Sequence, residues 1–202
     1  DFTLTVSASA DTAEAGSPVT FTYTLLDWAG EDVTASYDVR TDVSPAVGVV
    51  ADGGGTYRFT RVDTYSYFAS VEVLGSTLVD VARVGITPGP AASIDIDADR
   101  PLAQAGDVVT MSAVVEDAFG NEVPGDVSYN VSPSAAVAGN EITPQLLGTY
   151  TVTGTLVGSP EITDTDTFTV QSSAPVSLSI TLSDDNVERG DGIQVFVDMR
   201  DQ

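Results

Sequence analysis

The segment Ala13-Glu14-Ala15-Gly16 returns as Ala103-Gln104-Ala105-Gly106, and Gly106 lies 90 positions beyond Gly16. The residues that follow stay in register. Val19, Phe21, Tyr23 and Leu25 match Val109, Met111, Ala113 and Val115, and Asp27, Gly30 and Val33 match Asp117, Gly120 and Val123. A third copy begins 84 positions after Gly106, at Gly190, and places Ile193, Val195, Val197, Met199 and Asp201 in the same slots. A repeat of this length is a unit large enough to fold as a small domain of its own, so the chain reads as a tandem array.

Inside each unit the apolar residues recur with period two. Phe2, Leu4, Val6 and Ala8 alternate with polar residues, as do Ile94 and Ile96, then Val127, Tyr129 and Val131, then Tyr150 and Val152. Such alternation puts one face of a strand against a core and leaves the other in water. Turn signals fall between these runs at Asp52-Gly53-Gly54-Gly55, Gly139-Asn140 and Gly158-Ser159-Pro160, and no stretch holds a helical period over two turns. The pattern predicts seven strands in the first unit, near 2–9, 18–26, 36–43, 47–50, 56–60, 64–74 and 78–87. The second set is expected near 92–98, 108–116, 126–132, 135–138, 141–143, 148–157 and 164–171. Short strands at this spacing predict an all-β chain of tandem β-sandwiches, about seven strands each. The expected modules are 1–88 and 91–173, with 176–202 supplying the first strands of an incomplete third. Linkers fall at Thr87-Pro88-Gly89-Pro90 and Ser172-Ser173-Ala174-Pro175, where proline stiffens the chain. Two strands alone cannot bury a sandwich core, so the third module is either truncated or completed by another chain.

Tyr65 and Tyr150 each open the penultimate long strand, after Asp63-Thr64 and Gly148-Thr149. That position suits a tyrosine corner, in which the hydroxyl bonds back to the preceding connection; ordinary buried strand tyrosines are the plainer reading. Trp28 falls in a turn between strands.

The order Ala-Gly-Asp before an alternating strand, then Asp-Ala-Phe-Gly-Asn-Glu-Val at 117–123, Val-Ser-Pro at 131–133 and Gly-Thr-Tyr-Thr-Val at 148–152 resembles bacterial immunoglobulin-like repeats of the invasin/intimin type. It is also similar to filamin-type repeats. The join Pro88-Gly89-Pro90-Ala91 is similar to joins in long bacterial surface proteins. The resemblance covers essentially the whole chain. It implies tandem immunoglobulin-like sandwiches in a cell-surface or extracellular protein with a structural or adhesive role. The first unit departs from the pattern, with Trp28-Ala29 where the second has Ala118-Phe119 and Glu31-Asp32 where it has Asn121-Glu122. A role specific to that turn need not be shared.

Composition narrows function further. The chain has no His and no Cys, and all seven of its basic residues are Arg. That removes the usual general base, the thiol nucleophile, zinc–thiolate sites and lysine chemistry. No two carboxylates are paired across a cleft by anything in the sequence, and Gly53-Gly54-Gly55 is a hairpin turn, not a phosphate loop. An enzyme is not expected. The net charge of −23 disfavours nucleic acid and anionic lipid, and no apolar run approaches the length of a membrane helix. The absence of a starting Met or a signal segment suggests a processed chain or a piece of a longer one.

Calcium is the one cofactor the carboxylates invite, since it takes six to eight oxygens. Asp95, Asp97 and Asp99 project from one strand face, and Asp117, Asn121 and Glu122 sit in the next turn; a solvated strand face and a turn-capping Asp are the plainer reading. Asn130 heads the sequon Asn130-Val131-Ser132, with Pro133 following, and should face outward as a glycosylation candidate. Trp28, Phe119 and Tyr67 are candidate contact aromatics, for a glycan or for a neighbouring module. Three functions follow: a spacer rod, a subunit of a polymeric surface filament with self or other surface proteins as partners, and a glycan- or calcium-binding adhesion module.

Overall fold

The computed structural model describes residues 1–172, 177–183, 190 and 192–200. Asp201, Gln202 and the second linker at 173–175 lie outside the described residues, and with them the third copy of the repeat's Asp.

The protein is all-β, built as tandem sandwiches of two four-stranded sheets. The first sandwich contains β1 (Thr3–Ala8), β2 (Thr12–Glu14), β3 (Pro18–Leu26), β4 (Arg40–Ser44), β5 (Val49–Gly53), β6 (Thr56–Phe59), β7 (Thr64–Val73) and β8 (Ser76–Thr87). One sheet has the order β1-β3-β6-β5 and the other β2-β8-β7-β4. The second sandwich repeats this with β9 (Ala91–Ala98), β10 (Leu102–Gln104), β11 (Val109–Asp117), β12 (Val127–Ser132), β13 (Ala136–Ala138), β14 (Glu141–Thr143), β15 (Gly148–Leu156) and β16 (Thr163–Gln171). Its sheets run β13-β14-β11-β9 and β10-β16-β15-β12.

By contacts the chain divides into two compact units. The first is Asp1–Ser93 together with Val115–Gly125, and the second is Ile94–Val114 together with Asp126–Gln202. The turn after β11, second-repeat in sequence, thus belongs by its contacts to the first unit.

The long strands fall where the alternation places them, because only one register buries every second side chain. In β7 the buried positions are Tyr65, Tyr67, Ala69, Val71 and Val73. Each sandwich also has a short strand that the pattern does not announce, β2 and β10. These cross from the sheet of the preceding strand to the other sheet and pair parallel with β8 and β16. Three residues are too few to show a period, so the crossing is invisible in sequence. The strand expected over 36–43 starts later, at Arg40, behind a single 3-10 turn at Thr34–Ser36.

Aromatic rings fill the first core. Phe21 stacks on Tyr67 at 4.7 Å between centroids, and Phe59 lies 4.3 Å from Tyr65. The second core is leaner, with Tyr150 stacked on Phe168 at 5.3 Å among Val, Ile and Met111. Gly154 makes room there, since a Cβ at that position would stand 2.8 Å from Ile96 Cγ2.

The start of the third repeat forms two antiparallel strands, β17 (Ser177–Leu182) and β18 (Val195–Arg200). Leu178, Ile180 and Leu182 lie opposite Met199, Val197 and Val195, and all six are exposed.

Candidate functional site

The most organised polar cluster among the described residues is the turn after β11. Its backbone closes when Asp117 N–H donates to Asn121 C=O (2.9 Å) and Gly120 N–H to Asp117 C=O (3.1 Å). The Asp117 side chain then accepts from inside the turn: Oδ1 takes the N–H of Phe119 (2.8 Å) and of Asn121 (3.0 Å). This is the local bonding that makes Asp a turn former. Oδ2 reaches further and accepts the buried N–H of Gly89 at 2.8 Å. Asn121 completes the cluster. Its amide donates to both Asp117 oxygens (3.1 and 2.9 Å) and to Thr60 C=O (2.9 Å), while its Oδ1 accepts Val62 N–H (3.1 Å). Phe119 lies on Gly16, where a Cβ would meet its ring atoms Cε2 and Cζ at 2.5 Å.

Asp117 is the one buried charged residue among those described, 3% exposed. Burial by itself would raise its pKa. The Asn121 side chain and the N–H groups of Asn121, Gly89 and Phe119 outweigh that and lower it to about 2. The carboxylate is therefore ionised across ordinary pH, and every donor around it favours the charged form. What this arrangement can do is hold backbone: it fixes Val115–Gly125 against the chain at Gly16, Thr60–Val62 and Gly89.

The equivalent turn of the first repeat folds identically but holds nothing. Asp27 Oδ1 accepts the N–H of Ala29 (2.8 Å) and Glu31 (3.0 Å), and Asp27 N–H donates to Glu31 C=O. Glu31 stands where Asn121 stands, and a carboxylate has no N–H to give a carbonyl. Trp28 is 77% exposed there, beside Phe2, Val73, Leu74 and Leu78 in a shallow hollow.

The other candidates fall as follows. Asp95 and Asp97 occupy the exposed face of β9. Asp99, just beyond it, accepts the guanidinium of Arg100 and Thr110 N–H, and the Arg100 side chain foremost holds its pKa below the ordinary value. They do not converge with Asp117, Asn121 and Glu122: among the described residues no three His, Cys, Asp or Glu side chains group to hold a metal ion. Tyr65 Oη donates to Val47 C=O (2.9 Å), and Tyr150 Oη both donates to Leu146 C=O and accepts Leu146 N–H (3.0 Å each). Asn130 is exposed on β12, and its Oδ1 accepts the N–H of Val131. Phe119 is half exposed over Gly16. Tyr67, expected as an exposed contact aromatic, is instead a core residue at 2% exposure. The correction has a simple cause: Tyr67 shares its face of β7 with Tyr65, so both point inward or neither does. The roles of Asn121 and Gly89 have no sequence signal beyond the Asp-x-x-Gly turn, because the partner groups are backbone atoms distant in the chain.

No protein-family model matches the chain, and no curated protein sequence matches it. Among solved structures it is similar to the Escherichia coli adhesin FdeC, with 18% identity over 98% of this chain and 73% of that one, at a TM-score of 0.60. It is similar also to InvD of Yersinia pseudotuberculosis, with 17% identity over 98% of this chain and 70% of that one, at a TM-score of 0.53. The likeness is one of fold: tandem immunoglobulin-like sandwiches of the kind found in these bacterial proteins.

Proposed function

We propose that the chain is part of a structural or adhesive protein on a bacterial cell exterior, in which immunoglobulin-like modules form a stiff spacer. The observation that supports this best is the Asp117–Asn121 turn. A buried carboxylate and a bridging amide are spent on holding backbone. The fold shared with the adhesin FdeC supports the cell-surface location, and the high negative charge suits a solvated stalk that repels its neighbours. Its partners are other surface or host molecules, reached by modules beyond the spacer, and no catalysis is assigned to it.

Two experiments test this. Antibodies raised against the chain should label intact cells that make the parent protein; labelling only after lysis would end the surface reading. Under force, the chain tethered at its ends should unfold in two discrete steps, each lengthening it by about 26 nm, the ~30 nm extended length of ~85 residues at ~3.6 Å each less the ~4 nm that a folded module spans. A single continuous extension without steps would end the spacer reading. A second reading, contact with a glycan, is favoured by Trp28 alone, an exposed ring in an apolar hollow. As the sole Trp, it reports directly, and a glycan array scored by Trp emission decides it.

A further inference from the structure

A β-sandwich has open sheet edges, and an open edge is a template for another strand. On each long edge of the two sandwiches, one or two backbone N–H groups are taken by a side chain of this same protein. β1 is the end strand of its sheet, and its Val6 N–H donates to Asp80 Oδ2 at 2.7 Å. Asp80 lies on β8, in the opposite sheet, at a stretch where β8 itself lacks a neighbour on that side, because β2 pairs only with Gly85, Ile86 and Thr87. The seam between the two sheets is therefore bridged by a carboxylate. The second sandwich repeats the device. β9 is an end strand, its Ile96 N–H donates to Asp164 Oδ2 (3.0 Å), and its Ala98 N–H donates to Asp166 Oδ2 (2.7 Å). Asp164 and Asp166 precede the part of β16 that β10 covers. Val6 and Ile96 are matched positions of the repeat, as are Asp80 and Asp164, which stand four residues before the core residues Val84 and Phe168.

The opposite edges are closed differently. β4 and β12 end the other sheets. There Asp42 Oδ1 accepts Val43 N–H (2.9 Å) and Asn130 Oδ1 accepts Val131 N–H (3.0 Å), in the matched sequences Asp-Val-Ser-Pro and Asn-Val-Ser-Pro. The remaining end strands of the two sandwiches are poor templates by shape: β2, β10 and β13 have three residues each, and β5 is bulged between Ala51 and Gly53.

We infer that these side chains are edge locks: Asp80, Asp164 and Asp166 at the seams, with Asp42 and Asn130 opposite, keep the sandwiches from adding a strand of a second copy of this chain. Separate copies of the chain then do not pair through these edges. The inference deepens the spacer reading and argues against lateral assembly through these edges. It fails independently of that reading, since its test measures association and not location or mechanics.

The test compares three full-length chains by sedimentation velocity across a hundredfold concentration range, with thioflavin T as a second readout. The wild type should sediment as a monomer throughout. The triple variant Asp80→Ala, Asp164→Ala, Asp166→Ala has no acceptor at the seams and should associate with rising concentration and gain thioflavin signal. The triple variant with Asn at the same positions keeps an oxygen acceptor while losing three charges, and should behave as the wild type. A folded Ala variant that stays monomeric overturns the inference. So does an Asn variant that associates as strongly as the Ala one, which would assign the protection to charge repulsion. Should the Ala variant fail to fold, wild-type amide exchange decides: Val6, Ile96 and Ala98 N–H should exchange at least tenfold more slowly than Val137 N–H on the short edge β13. Equal rates would overturn the inference.

Discussion

Replacing Asp117 by Ala removes the acceptor of four donor groups at once, Gly89 N–H, Phe119 N–H, Asn121 N–H and the Asn121 side-chain amide. The Gly89 N–H is buried and finds no water, which costs about 1–3 kcal/mol. The two turn N–H groups are near the surface and regain water, so each loses only about 0.5 kcal/mol. The total is about 3 kcal/mol. The depressed pKa of the same group gives a second figure. Its carboxyl is held at about 2 against an ordinary 3.8, and at ~1.36 kcal/mol for each unit this is at most about 2.5 kcal/mol. The sign follows from the depressed value. The native state favours the ionised form, so the stabilisation is fully present above about pH 4 and is lost as pH falls toward 2. Urea unfolding followed by circular dichroism at pH 7 should show the Asp117→Ala chain destabilised by about 3 kcal/mol. Exchange at the Val62 amide should quicken in parallel, because Asn121 loses its orientation. The gap between the two chains should close between pH 4 and pH 2. A variant within 0.5 kcal/mol of the wild type at pH 7, or a gap unchanged at pH 2, would refute this account of the turn.

Two further outcomes are expected. Tyr65→Phe should cost about 1 kcal/mol in urea unfolding, and Tyr150→Phe somewhat more, because its hydroxyl both donates to and accepts from Leu146. Gly16→Ala should cost about 1–3 kcal/mol, since the residue sits at φ +83° and its new methyl meets the Phe119 ring; the double change Gly16→Ala, Phe119→Ala should recover part of that loss in the same assay.

Much of this protein is legible in its sequence because the decisive information is local. Period two along 64–74 fixes which face of β7 is buried, and the 90-residue repeat fixes that the fold occurs twice. The same rule, applied to Tyr65 and Tyr67 together, places Tyr67 inside, because the two stand two residues apart on one face. Asp117 is recognisable as a turn-former from Asp-x-x-Gly, and Trp28 as a turn residue from its repeat position.

What the tertiary structure decided concerns groups that meet from distant parts of the chain. Asp80, Asp164 and Asp166 carry no mark in the sequence beyond lying in the strands expected at 78–87 and 164–171. Only the seam between sheets turns them into acceptors for Val6, Ile96 and Ala98. The same holds for Asn121 with Thr60 and Val62, and for Asp117 with Gly89. Their partners are backbone N–H and C=O groups, identical at every residue, so no side-chain pattern marks them. Strand periodicity is set by each residue's own two faces and is written in the sequence; the pairing of a carboxylate with one particular distant N–H is set by where two sheets close, and only the fold determines it.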